Sequence, residues 1–233
     1  MTKVHRFIGN FNIKESVLRI TDEEFVNQAR YVLRLNVGEE LMLSNGLGEE
    51  ANAKILSYGN GYVEVEIEAR SQNKNESEKS VTLFLSILKR ENFEISAQKA
   101  TEVGISRIVP VISSRTVKMN INKERIEKII KEASEQSGRG IVPKMEGAVS
   151  LPDAILKAKE NDLNIFFDKD GIVLDESVFK SSKNIGIFVG PEGGWTSEEI
   201  ESAKEAGIIQ VSLGALTLRA ETAATIVSYL ACR

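Results

Sequence analysis

From residue 81 onward, the chain alternates between short runs that are apolar throughout and longer segments with apolar residues on one helical face. The apolar runs are "VTLFLSIL", "RIVPVIS", "LNIFFD", "NIGIFVG" and "IIQVSLG", and the helical segments include "ENFEISAQKATEVG", "NKERIEKIIKEASEQSG" and "ETAATIVSYLAC". Apolar strands joined through amphipathic helices are typical of a parallel sheet covered on both faces. Residues 81–233 are therefore predicted to form an α/β domain.

Residues 1–70 have a strand pattern instead. The stretch "VEVEIE", residues 63–68, alternates apolar and acidic positions, which indicates a strand with one buried and one solvated face. One helix is predicted at "TDEEFVNQARYVLRL", with Thr21 as its cap and Glu24 completing a capping box. These elements predict a small β-barrel. The following segment "SQNKNESEKS", residues 71–80, contains no apolar residue and is predicted to be a linker.

Composition narrows the chemistry. The chain has 233 residues, 42% of them hydrophobic and 27% charged, which is typical of a globular protein. Its net charge of -4 argues against a surface that is basic all over, but a local basic face could still bind nucleic acid. The single cysteine, Cys232, and the single histidine, His5, cannot form a disulfide framework or the usual zinc site, and no metal is expected. The start of the chain does not resemble a signal peptide and no apolar run has membrane-spanning length, so a cytoplasmic location is predicted.

One candidate ligand site lies in "IGIFVGPEGGWTSEEI", residues 185–200, where a buried strand ends at a glycine-rich turn and a helix follows. Thr196 and Glu199 predict a capping box that fixes the start of this helix. The next strand, "IIQVSL", ends at Gly214 before the loop "ALTLRAET". The two strands are predicted to be neighbours in a parallel sheet, which places both turns at the edge where open α/β sheets bind ligands.

Four interpretations of these turns compete. A nucleoside triphosphate would require the lysine and hydroxyl of a phosphate loop, and "GPEGGW" has neither. A dinucleotide would require a different glycine spacing in the first βα turn of its domain. S-adenosylmethionine carries a cationic sulfonium, which tolerates a nearby carboxylate such as Glu192. The remaining interpretation is a tight connection that binds no ligand.

Both turns, "VGPEGGWTSEEI" and "SLGALTLRAETAA", resemble motifs of the ribosomal RNA small-subunit methyltransferase E family, in the SPOUT superfamily. The blocks "HRFIGN", "YVLRLNVGEEL", "LKRENFEISAQKATEVGISRIVPVISSRT" and "EASEQSGR" are similar to further parts of that family, so the resemblance spans essentially the whole chain. It implies an N-terminal PUA-like β-barrel and a C-terminal SPOUT α/β domain with a deep trefoil knot. It also implies a homodimer that uses S-adenosylmethionine to methylate N3 of a uridine in 16S ribosomal RNA, either free or in the small ribosomal subunit.

The resemblance also implies which residues contact the cofactor, mainly in the two turns at 190–195 and 213–223. They are Phe167, Gly190, Pro191, Glu192, Gly193, Gly194, Leu213, Gly214, Leu218, Thr222 and Ala223. The chain departs from the family pattern at Leu216, where a basic residue is usual, which leaves one substrate contact open.

Two residues of the last motif are candidates for catalysis. Uridine N3 carries a proton at neutral pH, so an enzyme must help to remove it or stabilise the charge that spreads to O2 and O4. Arg219 is always cationic and suits the second task, and Glu221 is the available base. Alternatively, Glu221 pairs with Arg219 and holds the loop.

A basic face for RNA is predicted mainly around residues 115–131, which contain six basic side chains, including Lys118, against two acidic ones. The predicted RNA-binding residues are Arg6, Arg30, Arg34, Lys89, Arg90, Arg115, Lys123, Arg125 and Arg139. For the basic residues of 115–131 the alternative is a solvated helix with i,i+4 ion pairs, and for Arg6, Arg30 and Arg34 it is ordinary surface charge. Two other functions stay open: an RNA-binding or ribosome-assembly module without catalysis, and a nucleotide-dependent enzyme.

Overall fold

A computed structural model describes residues 4–116 and 121–233. The chain forms two compact units. The first comprises the residues up to Glu76 together with Ser134–Val142, and the second comprises Ser77–Ala133 and Pro143–Arg233. The return of residues 134–142 to the first unit is a feature that no sequence pattern indicated.

The first unit is built on a five-stranded sheet with the order β1-β3-β4-β5-β2, in which β1 and β3 are parallel and the other pairs antiparallel. Its strands are β1 (His5–Ile8), β2 (Val17–Ile20), β3 (Glu40–Ser44), β4 (Glu49–Tyr58) and β5 (Val63–Gln72). Val63 and Val65 are fully buried, as the alternation of β5 predicts. The core of this unit lies on that face of the sheet, against Phe7 and Phe25.

The predicted helix of this unit is shorter than expected, and its predicted cap was wrong. Helix α1 (Glu23–Asn27) is capped by Asp22, whose carboxylate accepts a hydrogen bond of 2.8 Å from Phe25 N. A short aspartate side chain is at least as good a cap as threonine, so the start moves by one residue. The helix continues as a π-helical turn, Gln28–Val32, which leaves Val32 64% exposed.

Part of the segment predicted to be a linker is held within the first unit. Asn73 Nδ2 donates to Glu50 Oε1 (2.6 Å) and to the Gly138 carbonyl (3.1 Å). Glu76 accepts hydrogen bonds from Arg139 Nη2 at 2.6 Å and from the backbone N–H of Gly140 at 2.9 Å. These polar contacts attach residues 134–142 to the end of the sheet.

The second unit contains a sheet whose described pairings are all parallel, with the order β12-β10-β11-β6-β7-β8 and a short β9 that also pairs with β7. The strands are β6 (Ser80–Ser86), β7 (Arg107–Ile112), β8 (Lys144–Met145), β9 (Val149–Ser150), β10 (Leu163–Val173), β11 (Asn184–Val189) and β12 (Ile209–Ser212). The helices are α2 (Arg90–Val103), α3 (Lys123–Ser137), α4 (Leu151–Ala158), α5 (Ser197–Glu205) and α6 (Ala220–Cys232), and the last four residues of α3 are counted with the first unit. The parallel α/β organisation predicted from the apolar runs is confirmed.

One prediction about this sheet was wrong: β11 and β12 are not neighbours, because β10 lies between them. Phe167 of β10 is paired with Val189 on one side and with Val211 on the other. Consecutive strands are adjacent in most α/β sheets but not in all, and the apolar pattern does not reveal which strand is inserted. Both glycine turns still follow the carboxyl ends of their strands at one edge, now on either side of β10.

Candidate functional site

A pocket of about 890 Å³ lies beyond the carboxyl ends of β11 and β12, beside residues 167–170 of β10. It is bounded by residues 190–195, here called the anchored loop, and residues 213–219, here called the open loop. The predicted cofactor residues that line it are Phe167, Gly190, Pro191, Glu192, Gly193, Gly194, Leu213, Gly214, Leu218 and Ala223. Thr222 does not line it and is exposed. The lining also includes Asn92, Lys169 and Asp170, which no sequence signal marked.

The anchored loop is a tight turn leading into α5. The Gly194 N–H donates to the Pro191 carbonyl at 2.8 Å, and Gly194 has φ +69, a conformation that side-chain-bearing residues rarely adopt. The predicted capping box is confirmed, because Glu199 N donates to Thr196 Oγ1 and Thr196 N donates to Glu199 Oε2. The sequence of this turn therefore accounts for its tight geometry and for the start of α5.

The side chain of Trp195, the last residue of the anchored loop, packs beneath the loop next to Gly190. It is 4% exposed, and its indole Nε1 donates to the Phe167 carbonyl at 3.0 Å. Its ring also packs on Phe166 at a centroid distance of 4.4 Å. Trp195 thus belongs both to the core and to the pocket lining.

Glu192 ties the anchored loop to the first turn of α2. Its Oε1 accepts hydrogen bonds from the Lys89 N–H (3.1 Å) and from Asn92 Nδ2 (3.2 Å). Burial raises the pKa of this carboxyl, but hydrogen bonds from the backbone N–H groups of Glu192 and Lys89 and from Asn92 outweigh it, so the pKa is lowered. A carboxylate at a helix N-terminus is also favoured by the helix dipole.

The open loop presents its side chains outward. Gly214 has φ +108, Leu216 is 81% exposed, and the Arg219 side chain is 85% exposed at the N-cap position of α6. Glu221 lies in the first turn of α6 with its side chain only 15% exposed. Its Oε1 is 3.9 Å from Arg219 Nη1, which is too long for a hydrogen bond, and its buried Oε2 has no hydrogen-bond partner among the described residues.

Two of the predicted RNA-binding residues in the second unit, Arg90 and Arg125, are paired with Glu94. Glu94 lies outside residues 115–131, so the charge count over that stretch did not include it. Glu94 of α2 accepts from Arg125 Nε at 2.5 Å and from Arg90 Nε at 3.0 Å, and Lys123 lies 3.4 Å from Glu127. Hydrogen bonds from Arg125 and then from Arg90, with their positive charges, outweigh desolvation and lower the pKa of Glu94 to about 2. Lys118 lies outside the described residues.

In the first unit, the predicted RNA-binding arginines have different surroundings. Arg6 pairs with the buried Glu50. Arg30 is exposed and lies over the rings of Tyr31 and Tyr58 at 5.6 and 5.4 Å. Arg34 is exposed with φ 55. The fourth, Arg139, is 5% exposed and paired with Glu76, so its charge is used inside the unit.

No described helix is long and apolar enough to span a membrane. Within the described ranges, histidine, cysteine and carboxylate side chains do not form a group able to hold a metal ion.

Comparison with known proteins matches residues 75–231 to the RNA methyltransferase domain and residues 30–68 to the RNA methyltransferase PUA domain. The chain is 32% identical to ribosomal RNA small subunit methyltransferase E of Rickettsia conorii over 95% of this chain and 92% of the relative. It is 30% identical to the protein of the same name from Bacillus subtilis, over 88% and 85%. The crystal structure of the Neisseria gonorrhoeae enzyme bound to S-adenosylmethionine has a TM-score of 0.87 and 29% identity, covering 97% of this chain and 95% of that one.

Proposed function

The chain belongs to the RNA methyltransferase family whose members include ribosomal RNA small subunit methyltransferase E, and from this premise we propose that it methylates N3 of a uridine in 16S ribosomal RNA. The methyl donor in this proposal is S-adenosylmethionine, which the related Neisseria gonorrhoeae enzyme binds in its crystal structure. One observation carries the proposal: both glycine loops, Arg219 and Glu221 line the same pocket.

The pocket residues fit this donor. A volume of about 890 Å³ is within the usual range for sites that enclose a cofactor. Gly194 and Gly214 expose main-chain groups at positive φ, which allows backbone to approach a ligand closely. When bound, S-adenosylmethionine supplies an electrophilic methyl group, and the anchored loop, Phe167 and Leu218 would hold it.

Arg219 and Glu221 would act on the uracil. Glu221 would accept the N3 proton, because its buried Oε2 lacks a described partner and its Oε1 is not hydrogen-bonded to Arg219. Arg219, with its exposed guanidinium, would stabilise the negative charge that spreads to O2 and O4. At 3.9 Å the two charges form an ion pair without a hydrogen bond, so a pair that holds the loop stays the alternative to these two roles.

For RNA binding we propose two groups of cations, one in each unit. In the second unit, the exposed Lys89 and Lys123 would contact phosphates, and Arg90 and Arg125 would do so by exchanging the carboxylate of Glu94 for a phosphate. Arg30 and Arg34, which are exposed, are the candidates in the first unit. We leave out Arg6 and Arg139 because each is little exposed and paired with a glutamate.

Three features implied by the family resemblance complete the proposal, namely closure of the first sheet into a PUA-like barrel, a trefoil knot near the C-terminus and a homodimer, together with the cytoplasmic location expected from the sequence. After β12 at the sheet edge, α6 packs against α2, β6 and β11 in the middle of the sheet, which is compatible with a threaded path. Exposed apolar side chains at Leu216, Ile226 and Tyr229 would suit a subunit interface. The cytoplasm is where ribosomal RNA would meet the enzyme.

The proposal is tested by mass mapping of 16S ribosomal RNA from cells that lack this protein. We expect one uridine to lose a methyl group, and the wild-type gene, but not a gene encoding Arg219→Ala, to restore it. Calorimetry on the purified protein should detect one S-adenosylmethionine per chain. Unchanged ribosomal RNA would contradict the activity. RNA binding by a folded protein that gives no heat with S-adenosylmethionine would instead favour an RNA-binding module without catalysis.

A further inference from the structure

We infer that Arg115 is a positioning residue that fixes the anchored loop, although its place at the start of a basic stretch suggests an RNA contact. The inference rests on the proposed function only where it concerns the methyl donor. The contact between Arg115 and the loop is a property of the protein alone. It lies entirely within the second unit.

Arg115 holds the anchored loop from the side of β7. Its Nη1 donates to the Gly193 carbonyl at 2.7 Å and to the Trp195 carbonyl at 3.2 Å. Its aliphatic stem lies against Gly193, where an added Cβ would be 3.3 Å from the Arg115 Cδ. The guanidinium of Arg115 is therefore hydrogen-bonded to the carbonyl groups on either side of Gly194, the residue with positive φ in this turn.

A second set of contacts attaches the same segment to the end of the loop. Ser114 N donates to Glu199 Oε1 at 2.7 Å, and the other oxygen of that carboxylate accepts from Thr196 N. Glu199 is 8% exposed, so this shared carboxylate is shielded from water. Ser113 N also donates to Thr116 Oγ1 at 3.0 Å, which closes the segment into a turn. Residues 113–116 thus form a latch on the anchored loop.

The latch fixes the conformation of the anchored loop, which forms one side of the pocket. A turn that contains several glycines has many accessible conformations, and a ligand that requires one of them must offset the entropy of ordering it. Hydrogen bonds to a charged group hold such a turn more firmly than neutral ones. Arg115 therefore acts on methyl-donor affinity through the loop.

The single tryptophan of the chain makes this testable without any ligand, because the Trp195 carbonyl is one of the two acceptors. In Arg115→Ala we expect red-shifted Trp195 emission and stronger quenching by acrylamide in the free protein. We also expect the dissociation constant for S-adenosylmethionine to rise about 10-fold or more, since a hydrogen bond to a charged group is lost. Arg115→Lys, whose side chain is one atom shorter, should fall between the wild type and the alanine variant in both readouts.

The matched control is Arg107→Ala, which removes a surface arginine from the opposite end of β7, 3.6 Å from Glu146. It should leave Trp195 emission and donor affinity unchanged. The salt dependence of RNA binding should be the same in wild type and Arg115→Ala. The inference is overturned if Trp195 and donor affinity do not change in either Arg115 variant while the salt slope falls by about one, as expected for a lost phosphate contact. If the wild type itself binds no donor, the proposed function fails, and the fluorescence comparison still tests the latch.

Discussion

The two loops that form the pocket differ in how they are held. The anchored loop is bonded to three neighbouring elements, through Trp195 to β10, through Glu192 to α2 and through Arg115 to the segment after β7. The open loop carries Leu216 and Arg219, whose side chains are more than four-fifths exposed. Both loops follow parallel strands and contain a glycine with positive φ, so glycine content does not explain the difference.

The difference indicates that the two loops have different roles in binding. A wall fixed by several independent hydrogen bonds is pre-organised, and a small ligand that binds to it does not have to order it. A wall with exposed side chains can gain contacts from a binding partner, which under the proposed function would be RNA or a second subunit. Substitutions in the anchored loop should therefore change stability and donor binding, and substitutions of the exposed side chains of the open loop, Leu216 and Arg219, should change catalysis and RNA binding.

The largest effect should come from the open loop, in Arg219→Ala. We expect kcat for methyl transfer to fall about 100- to 1000-fold, the usual cost of removing one group that stabilises developing negative charge. Stability and S-adenosylmethionine affinity should stay close to wild type, because the side chain is 85% exposed. Transfer of a radiolabelled methyl group to small-subunit RNA measures the first quantity, and calorimetry measures the second.

Full turnover in Arg219→Ala would remove this residue from the proposed chemistry. A matched control is Arg233→Ala, which removes another arginine from the opposite end of α6. If both variants lost activity equally, the cause would lie in α6 as a whole and the contrast between the loops would not hold.

Glu221→Gln should have the next largest effect, a decrease in kcat of about 100-fold, at the lower end of general base catalysis. Glutamine keeps the shape of the side chain but cannot accept the N3 proton. Donor affinity should change less than twofold. A variant with nearly normal kcat but weakened donor or RNA binding would show that Glu221 holds the loop and is not the base.

Sequence patterns were sufficient for the parts of this site that depend on local chemistry. The capping box at Thr196 and Glu199 could be predicted because both partners lie within four residues of each other. The parallel sheet followed from strands that are apolar throughout. The residues of both loops were identified by resemblance, and all but Thr222 of the predicted cofactor residues line the pocket.

The rest could not be predicted because it depends on contacts between distant segments. The insertion of β10 between β11 and β12 is a choice of topology that leaves no mark on the apolar pattern. Arg115 lies 78 residues from Gly193 along the chain, so the contact between them leaves no local sequence signal. A count of charges over residues 115–131 predicts the same RNA-binding role for Arg115 as for Lys123. Likewise, Glu94 neutralises Arg125 from 31 residues away. Long-range pairing decides whether a cation is available to RNA.

On the anchored loop, Glu192→Gln should lower stability by about 0.5–1 kcal/mol at pH 7 and low salt, because a charge at a helix N-terminus is lost. The lowered pKa of Glu192 means that its contribution is present above the usual value of 4.5 and is lost as the pH falls below it. The wild type should therefore lose more stability than the variant on acidification from pH 5. Urea unfolding between pH 3 and 7 measures this difference.

Glu201→Gln, an exposed change within α5, is the control and should unfold like the wild type at every pH. Glu94, whose pKa is about 2, is present in all three proteins, so its own acid loss cancels in the comparison. Equal pH dependence of the wild type and Glu192→Gln would mean that this carboxylate does not anchor the loop in solution.

The smallest effect on stability should come from Leu216→Lys, which restores the basic residue implied by the family resemblance. Since Leu216 is 81% exposed, the free energy of unfolding should change by less than about 0.5 kcal/mol. RNA affinity should rise at low salt and its salt slope should steepen by about one, as expected for one new phosphate contact. Leu216→Gln, polar but uncharged, should leave the slope unchanged.

A loss of stability in both variants that depends on protein concentration would instead place Leu216 in a subunit interface. The contacts of the open loop would then be completed by a second chain and not by RNA.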